Sequence, residues 1–240
     1  VKDTAFRPFY LNISGQIWHA EQPVIVGVIN ATPDSFYAKS RSIQTNEIIT
    51  AAENLVLDGA DWIDIGGCST RPGADTPSIE EEWIRIESSL KELVKRFPNI
   101  PISIDTFRSE IAQKAIDTGV SIVNDISGGS IDPEIWNVVA QNKVPYVLTH
   151  YPQRSTPKSM QNQPLGPKEV FSRVFQELSA SIDNLHSLGL NDLLIDPGFG
   201  FGKTIESNYK LMSDLSGLKE LNHPIYIGIS RKSMLWKLLD

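Results

Sequence analysis

Carboxylate and amide side chains recur in this sequence at the ends of short apolar segments. Asp105, Asn124 and Asp196 each end such a segment, and each segment is too short to be a helix. A polar side chain at the end of a buried parallel strand costs folding free energy unless it has a partner. We therefore expect these three side chains to converge on one site.

Two chemistries suit such a site. A carboxylate accepts two parallel N–H bonds and an amide both donates and accepts, so the set could hold a flat heterocycle with an amidine-like edge. The same oxygens could instead ligate Mg²⁺, which prefers oxygen ligands. A structural interpretation, in which each side chain caps loop amides, competes for any one residue and is weaker for all three together.

Two basic segments could bind an anion near the same edge. Thr70 and Arg71 lie in the loop after the second predicted strand, where a hydroxyl beside a guanidinium suits a phosphate. Ser230 and Lys232 follow the last predicted strand at a helix start. A cation there opposes the helix dipole, which indicates an anionic or electron-rich partner. Solvated surface residues are the alternative for both segments.

The glycine-rich segment 198–203 does not fit a nucleotide-binding motif. The phosphate-loop pattern requires a glycine five residues before the Gly–Lys pair, and Pro197 occupies that position. The dinucleotide pattern also fails, because the third glycine comes one residue early. We expect a tight turn from strand to helix, with Asp196 at its start.

Composition excludes several classes of function. With a net charge of -7 and no Lys/Arg-rich run, we expect no nucleic-acid partner. Cys68 is the only cysteine, so there is no internal disulfide, and we expect a packed thiol. His150 ends a predicted strand, where a hydrogen-bonded structural role is the preferred interpretation. No apolar run approaches membrane-spanning length and no signal-peptide pattern is visible, so the expected location is cytoplasmic.

Strands and helices alternate strictly along the chain. The predicted strands are 23–29, 62–65, 102–104, 121–124, 145–149, 193–195 and 224–229. The predicted helices are 46–58, one from the Ser78–Glu81 capping box to 97, then 109–118, 133–141, 168–188, 206–215 and one from 231. After a hairpin over 9–19, this order predicts a single α/β domain over 1–240, a (β/α)₈ TIM barrel with its site at the carboxyl ends of the strands. The eighth unit is missing. Either it lies beyond Asp240 or the sheet is open, and we expect the former, a C-terminally incomplete chain.

Together these segments closely resemble the dihydropteroate synthase family, the folate-pathway enzymes that sulfonamides target. The matching stretches are 27–36, 59–74, 103–106, 124–129, 196–203 and 228–233, in the family's order. The resemblance implies a transferase that joins 6-hydroxymethyl-7,8-dihydropterin diphosphate to 4-aminobenzoate. It also implies Mg²⁺ and, commonly, a homodimer.

The resemblance also assigns roles to residues. Asp105, Asn124, Asp196 and Lys232 would hold the pterin ring, with Phe201 lining the pocket and Lys203 nearby. Asn30 would ligate Mg²⁺, and Thr70, Arg71 and Ser230 would surround diphosphate and aminobenzoate. Asp105, Lys232 and Arg71 are the expected catalytic residues, and the loop 32–36 would fold over the reacting centre.

Two departures from the family pattern stand out. Cys68 replaces a usual glutamate, from which we expect tuning rather than loss of activity, and the family's final Arg-x-His strand is absent before Asp240. Two other functions compete: a catalytically silent pterin-binding paralogue and a pterin-dependent methyltransferase. The latter would not need the Thr70–Arg71 pair or the Asn30 loop, so the transferase is preferred.

Overall fold

The structure, a computed structural model, describes residues 6–31, 38–68, 76–152, 164–230, 232 and 234–235, with only the backbone described for 38–44. It begins with an antiparallel hairpin, β1 (Phe9–Ile13) and β2 (Gln16–Ala20). Ser14 and Gly15 turn the chain with φ of 52° and 79°. Two consecutive positive φ angles match the twist of the flanking strands, and the predicted hairpin is confirmed.

Six parallel strands then form one sheet in chain order. They are β3 (Val26–Asn30), β4 (Trp62–Gly66), β5 (Ile102–Asp105), β6 (Ile122–Asp125), β7 (Tyr146–Thr149) and β8 (Leu193–Asp196). The helices are α1 (Ala38–Leu57), α2 (Ile79–Arg96), α3 (Ser109–Thr118), α4 (Glu134–Asn142), α5 (Val170–Ser187) and α6 (Ile205–Ser213), followed by a 3₁₀ helix (Leu215–Leu221). Neighbouring strands joined by helical crossovers form the (β/α) barrel topology, so the predicted fold class is confirmed.

The last predicted strand, 224–229, was wrong in its extent. Ile225 forms a single parallel bridge with Ile195, flanked by hydrogen bonds from Ile195 N to Pro224 O at 2.9 Å and from Tyr226 N to Ile195 O at 2.8 Å. The segment therefore lies beside β8 but pairs with it over a few residues. Within the described ranges it does not pair with β3, and Val28 of β3 is 54% exposed.

Helix boundaries follow the local signals where these exist. The capping box of α2 is confirmed, because Ser78 Oγ accepts from Glu81 N at 3.1 Å and Glu81 Oε2 accepts from Ser78 N at 2.8 Å. Helix α1 begins at Ala38 rather than at residue 46, since its first turns are polar and carry no apolar stripe. The 3₁₀ helix after α6 was not predicted. Of the predicted helix from 231, the described residues 234–235 are helical.

Strand side chains alternate between two environments. The outward side chains, such as Ile65, Ile104 and Ile195, pack with the helices in a large apolar core. The inward side chains start apolar and become polar along the strands. The first inward layer contains Trp62, Ile122, Val147 and Leu194 and packs against Leu11 of the hairpin. The hairpin thus closes the amino-terminal end of the barrel, and the polar side chains lie toward the other end.

No helix within the described part of the chain combines the length and the apolar character needed to cross a membrane.

Candidate functional site

A buried carboxylate and an amide meet inside the barrel. Asp64 of β4 is 2% exposed, and its Oδ2 accepts a hydrogen bond from Asn124 Nδ2 at 3.0 Å. Its Oδ1 accepts from the hydroxyl of Ser103 on β5. Burial raises the pKa of Asp64 to about 6, and the two hydrogen bonds oppose that rise. The contact directs the nitrogen of the Asn124 amide to Asp64, which leaves the amide oxygen on the other side.

Asp105 lies beside Asn124 in the strand register. Its side chain makes no hydrogen bond with any residue in the described ranges. A Cβ on Gly66 would lie 3.1 Å from Asp105 Cβ and 3.4 Å from Oδ2, so the glycine leaves the space that this side chain occupies. Burial and then the charge of Asp64 raise the pKa of Asp105 well above its ordinary value. An acid with such a raised pKa, and with no hydrogen bond to the part of the chain that the structure describes, is a candidate for ligand binding.

A buried carboxylate with an ammonium in its vicinity lies at the end of β8. Asp196 Oδ1 accepts from Gly198 N at 2.7 Å. Burial raises the pKa of Asp196, and the positive charge of Lys232 is the largest opposing effect. A Cβ on Gly228 would lie 3.9 Å from both Asp196 Oδ2 and Lys232 Nζ. Both charged groups therefore lie next to the same glycine, which leaves room for them.

Lys232 also contacts the glycine-rich loop. Its Nζ donates to Phe199 O at 2.6 Å and lies 5.1 Å from the centroid of the Phe201 ring, a cation–π contact. Phe201 lies against Tyr151, with 5.8 Å between ring centroids. An aromatic surface and an ammonium thus adjoin Asp196, as expected for the binding of a flat ring.

Lys203 is anchored inside the loop. Its Nζ donates to Gly198 O at 2.7 Å and to Phe201 O at 3.0 Å, and it lies 3.0 Å from His150 Nδ1. His150 Nε2 lies 3.1 Å from Glu177 Oε2, and burial lowers the pKa of His150 to about 4. The structural interpretation of His150 is confirmed. Because three protein acceptors use the Lys203 ammonium, its geometry is that of a positioning residue, and its contact with substrate stays a prediction.

The remaining predicted residues lie at the rim or outside the described ranges. Asn30 ends β3, is exposed, and is paired in register with Gly66, which is itself paired with Asp105. Ser230 is exposed in a turn. Thr70, Arg71 and the loop 32–36 lie outside the described residues. The structure therefore places Asp105 beside Asn124 and places Asp196 and Lys232 beside Gly228, and the charges of Asp105 and Asp196 both act on Tyr226.

Comparison with known proteins identifies what this arrangement resembles. The family model described as "Pterin binding enzyme" matches residues 26–240. Dihydropteroate synthase of Synechocystis is 41% identical over 218 residues, which are 90% of this chain and 74% of that protein. The Escherichia coli enzyme is 36% identical over 220 residues, 91% of this chain and 76% of that protein. The chain belongs to the dihydropteroate synthase family.

Solved structures of the family agree with this result. Dihydropteroate synthase of Xanthomonas albilineans with 4-aminobenzoic acid matches with a TM-score of 0.84 at 34% identity, covering 96% of this chain and 81% of that one. The Yersinia pestis enzyme in complex with a sulfonamide matches with a TM-score of 0.84 at 32% identity, covering 96% and 82%. The predicted family is confirmed.

Two interior residues of this family member were given no role from sequence, although the segment that contains one of them, Asp64, is among the strand ends predicted to converge. Asp64 was visible as the single acid within an apolar strand, but nothing local indicated its partner Asn124. Tyr226 gave no signal. It stacks on Trp62 with 5.9 Å between centroids, and burial and the charge of Asp64 raise its pKa. Tyr226 therefore lies between the apolar layer that contains Trp62 and the polar side chains that include Asp64.

Two further buried acids support the site from the helix side. Asp125 accepts from Ser127 N at 2.7 Å and from Tyr146 Oη at 2.7 Å, which fixes the loop after β6. Glu82 of α2 accepts from Arg108 Nη1 at 2.7 Å.

Cys68 is 5% exposed, as expected of a packed thiol, and burial and the nearby charge of Glu82 raise its pKa. A glutamate from α2 therefore lies close to the position where the family usually has its own.

Proposed function

We propose that this chain is a dihydropteroate synthase, which joins 6-hydroxymethyl-7,8-dihydropterin diphosphate to 4-aminobenzoate and forms 7,8-dihydropteroate and diphosphate. The observation that carries the proposal is a set of buried polar side chains at the strand ends: Asp105 lies beside Asn124, Asp196 and Lys232 adjoin Gly228, and the charges of Asp105 and Asp196 both act on Tyr226. The proposal is also supported by the 41% identity between this chain and the dihydropteroate synthase of Synechocystis.

The pterin ring binds through complementary hydrogen bonds. Its amidine-like edge carries parallel N–H donors, which suit a carboxylate with free acceptor positions such as Asp105 or Asp196. The amide oxygen of Asn124 accepts a further ring N–H, and Lys232 donates to a ring acceptor. Phe201 contacts the ring near Lys232. Buried acids with raised pKa values gain most from such donors, because the ligand relieves their lack of solvation.

The reaction requires charge stabilisation rather than a covalent enzyme intermediate. The bond between the pterin methylene carbon and the diphosphate oxygen breaks, and its electron pair leaves with diphosphate. The methylene becomes cation-like, and Asp105 and Asp196 favour the positive charge that spreads into the ring. The arylamine nitrogen then attacks the methylene carbon, and the proton that it loses passes to solvent or to the released diphosphate. By family resemblance, Thr70, Arg71 and Ser230 lie around the diphosphate and the aminobenzoate.

Asn30 is the proposed Mg²⁺ ligand. Its amide oxygen is a hard donor, its side chain is exposed at the end of β3, and Mg²⁺ commonly takes few protein ligands when it binds substrate phosphates. When bound, Mg²⁺ would neutralise charge on the leaving diphosphate.

Other parts of the proposal rest on sequence alone. We propose one pterin-binding barrel domain over residues 1–240 and a homodimer, and the cytoplasmic location stays a prediction.

The decisive experiment measures diphosphate release from the dihydropterin diphosphate with Mg²⁺, with and without 4-aminobenzoate. We expect release that depends on aminobenzoate, together with formation of dihydropteroate. Pterin binding by calorimetry without any release would contradict the transferase and select the silent paralogue. Failure to bind the dihydropterin diphosphate at all would contradict the assignment of the pocket.

A further inference from the structure

The Asn124 side chain can present either of two faces to a ligand. Its amide is planar, with an acceptor oxygen on one side and two N–H donors on the other, and the two groups are nearly equal in size. Rotation by half a turn exchanges them at almost no steric cost. Whether the amide presents its oxygen or its N–H groups to a ligand therefore depends on the residue that contacts Asn124 from the side away from the pocket.

Asp64 is that group. Its Oδ2 lies 3.0 Å from Asn124 Nδ2, and an ionised carboxylate only accepts hydrogen bonds. The reversed amide would place two acceptor oxygens in contact, which is repulsive. Ser103 holds the other carboxylate oxygen through its hydroxyl, so Asp64 cannot turn away without losing that bond.

Asp64 itself is placed behind the pocket rather than in it. It is 2% exposed, and both its oxygens have partners within the protein. Asn124 by contrast adjoins Asp105, and its amide oxygen has no hydrogen-bond partner within the described ranges. Any effect of Asp64 on a ligand is thus expected to pass through Asn124.

We propose that Asp64 is a positioning residue that fixes the Asn124 amide with its oxygen toward the pterin. The Asn124 amide oxygen then favours a ring that presents an N–H donor to it and disfavours a ring that presents an acceptor. The inference rests on the proposed function, since it concerns the same pterin site.

The test is a double-mutant cycle between Asp64 and Asn124, with affinity for 6-hydroxymethyl-7,8-dihydropterin diphosphate measured by calorimetry at about pH 8. At that pH Asp64, whose pKa is about 6, is ionised. Asp64→Ala should raise the Kd about tenfold, the effect of one lost hydrogen bond, and the KM for 4-aminobenzoate should stay within about twofold. In the Asn124→Ala background the same substitution should change the Kd less than about twofold, because the group it positions is gone.

Asp64→Asn is the matched control. Its amide oxygen can accept the Asn124 Nδ2–H while its amide nitrogen donates to Ser103 Oγ, so it should restore most of the affinity. Equal losses in Asp64→Asn and Asp64→Ala would show that the negative charge matters instead, and would overturn the proposal. So would an equal loss in both Asn124 backgrounds. If Asp64→Ala does not fold, Asp64→Ser takes its place, because its short hydroxyl cannot reach Asn124. Wild-type protein that binds no pterin would overturn the proposed function, and this inference with it.

Discussion

The two halves of the barrel interior have the same backbone and opposite chemistry. On β4, β6 and β8, an apolar inward residue is followed two positions later by a polar one. The pairs are Trp62 and Asp64, Ile122 and Asn124, and Leu194 and Asp196. A strand period of two places both members of a pair on the same face. Side-chain identity alone therefore separates a half that stabilises the fold from a half that binds.

Burial stabilises the fold in the apolar half of the interior and destabilises it in the polar half. Burial of the apolar layer against the hairpin contributes favourable free energy, of the order of 25 cal/mol per Å² of apolar surface. Burial of Asp64, Asp105 and Asp196 raises their pKa values, which means that their charged forms are disfavoured in the folded chain. The polar half of the interior therefore lowers the stability of the fold. A ligand with N–H donors would offset part of that loss.

The largest effect is expected in the apolar half. Leu194→Ala should lower the free energy of unfolding by about 2–5 kcal/mol, because it leaves a cavity next to Trp62 and the hairpin. Pterin affinity of the folded protein should change little. Denaturant unfolding with parallel calorimetry measures both. Loss of pterin affinity without loss of stability would show that the two halves are not separable.

Asp64→Asn should have the opposite effect on stability. The folded pKa of Asp64 is about 6, above its ordinary 3.8, so the native state binds this proton more tightly than the unfolded chain. The contribution of Asp64 to stability therefore falls as pH rises from about 4 to about 6. The variant lacks this loss and should be more stable above pH 6, by up to about 3 kcal/mol for a shift of about two pKa units.

Unfolding curves of both proteins at several pH values test this. The difference should be small near pH 4, grow toward pH 6 and stay constant above it. A variant that is less stable than wild type at about pH 8 would contradict the cost that we assign to the buried carboxylate.

Asp196→Asn should separate function from stability on the strand that carries Leu194. Asparagine can still accept from Gly198 N, but the charge next to Lys232 is lost. We expect kcat/KM to fall about 100-fold, about 2.7 kcal/mol, with an unfolding free energy no lower than that of wild type, because burial disfavours the charged form of Asp196. Asp192→Asn at the other end of β8 is the control and should leave kcat/KM unchanged. Wild-type turnover in Asp196→Asn would contradict the pterin pocket.

Local sequence signals were sufficient for part of the site. Asp105, Asn124 and Asp196 each end an apolar segment, and barrel topology alone then brings the strand ends together. The role of Asp64 could not be read in the same way, because its partner Asn124 lies 60 positions away. Lys203 shows the same limit, since its anchoring depends on His150, 53 positions earlier. Side-chain pairing across strands is a tertiary property, and spacing along the chain does not encode it.

The extent of elements was the other limit. The apolar run 224–229 predicts a strand, but a strand forms only as far as a neighbour pairs with it, and here that neighbour is β8 over a few residues. The polar start of α1 carries no periodicity to detect. Both differences concern where an element begins or ends, and neither changes the order of strands that builds the site.

The smallest of these effects tests whether the position of Asp105, and not only its charge, matters. Gly66→Ala would place a Cβ 3.1 Å from Asp105 Cβ and 3.2 Å from its carbonyl oxygen, which is closer than ordinary contact, so Asp105 must shift. A ligand that binds through two parallel hydrogen bonds is sensitive to such a shift, and we expect the pterin KM to rise about tenfold with little change in unfolding free energy. Gly166→Ala, whose added Cβ meets nothing within 4 Å, is the control. If both alanine variants keep the wild-type pterin KM, the site tolerates displacement of Asp105. The polar half of the interior then binds the pterin through charge rather than through fixed geometry.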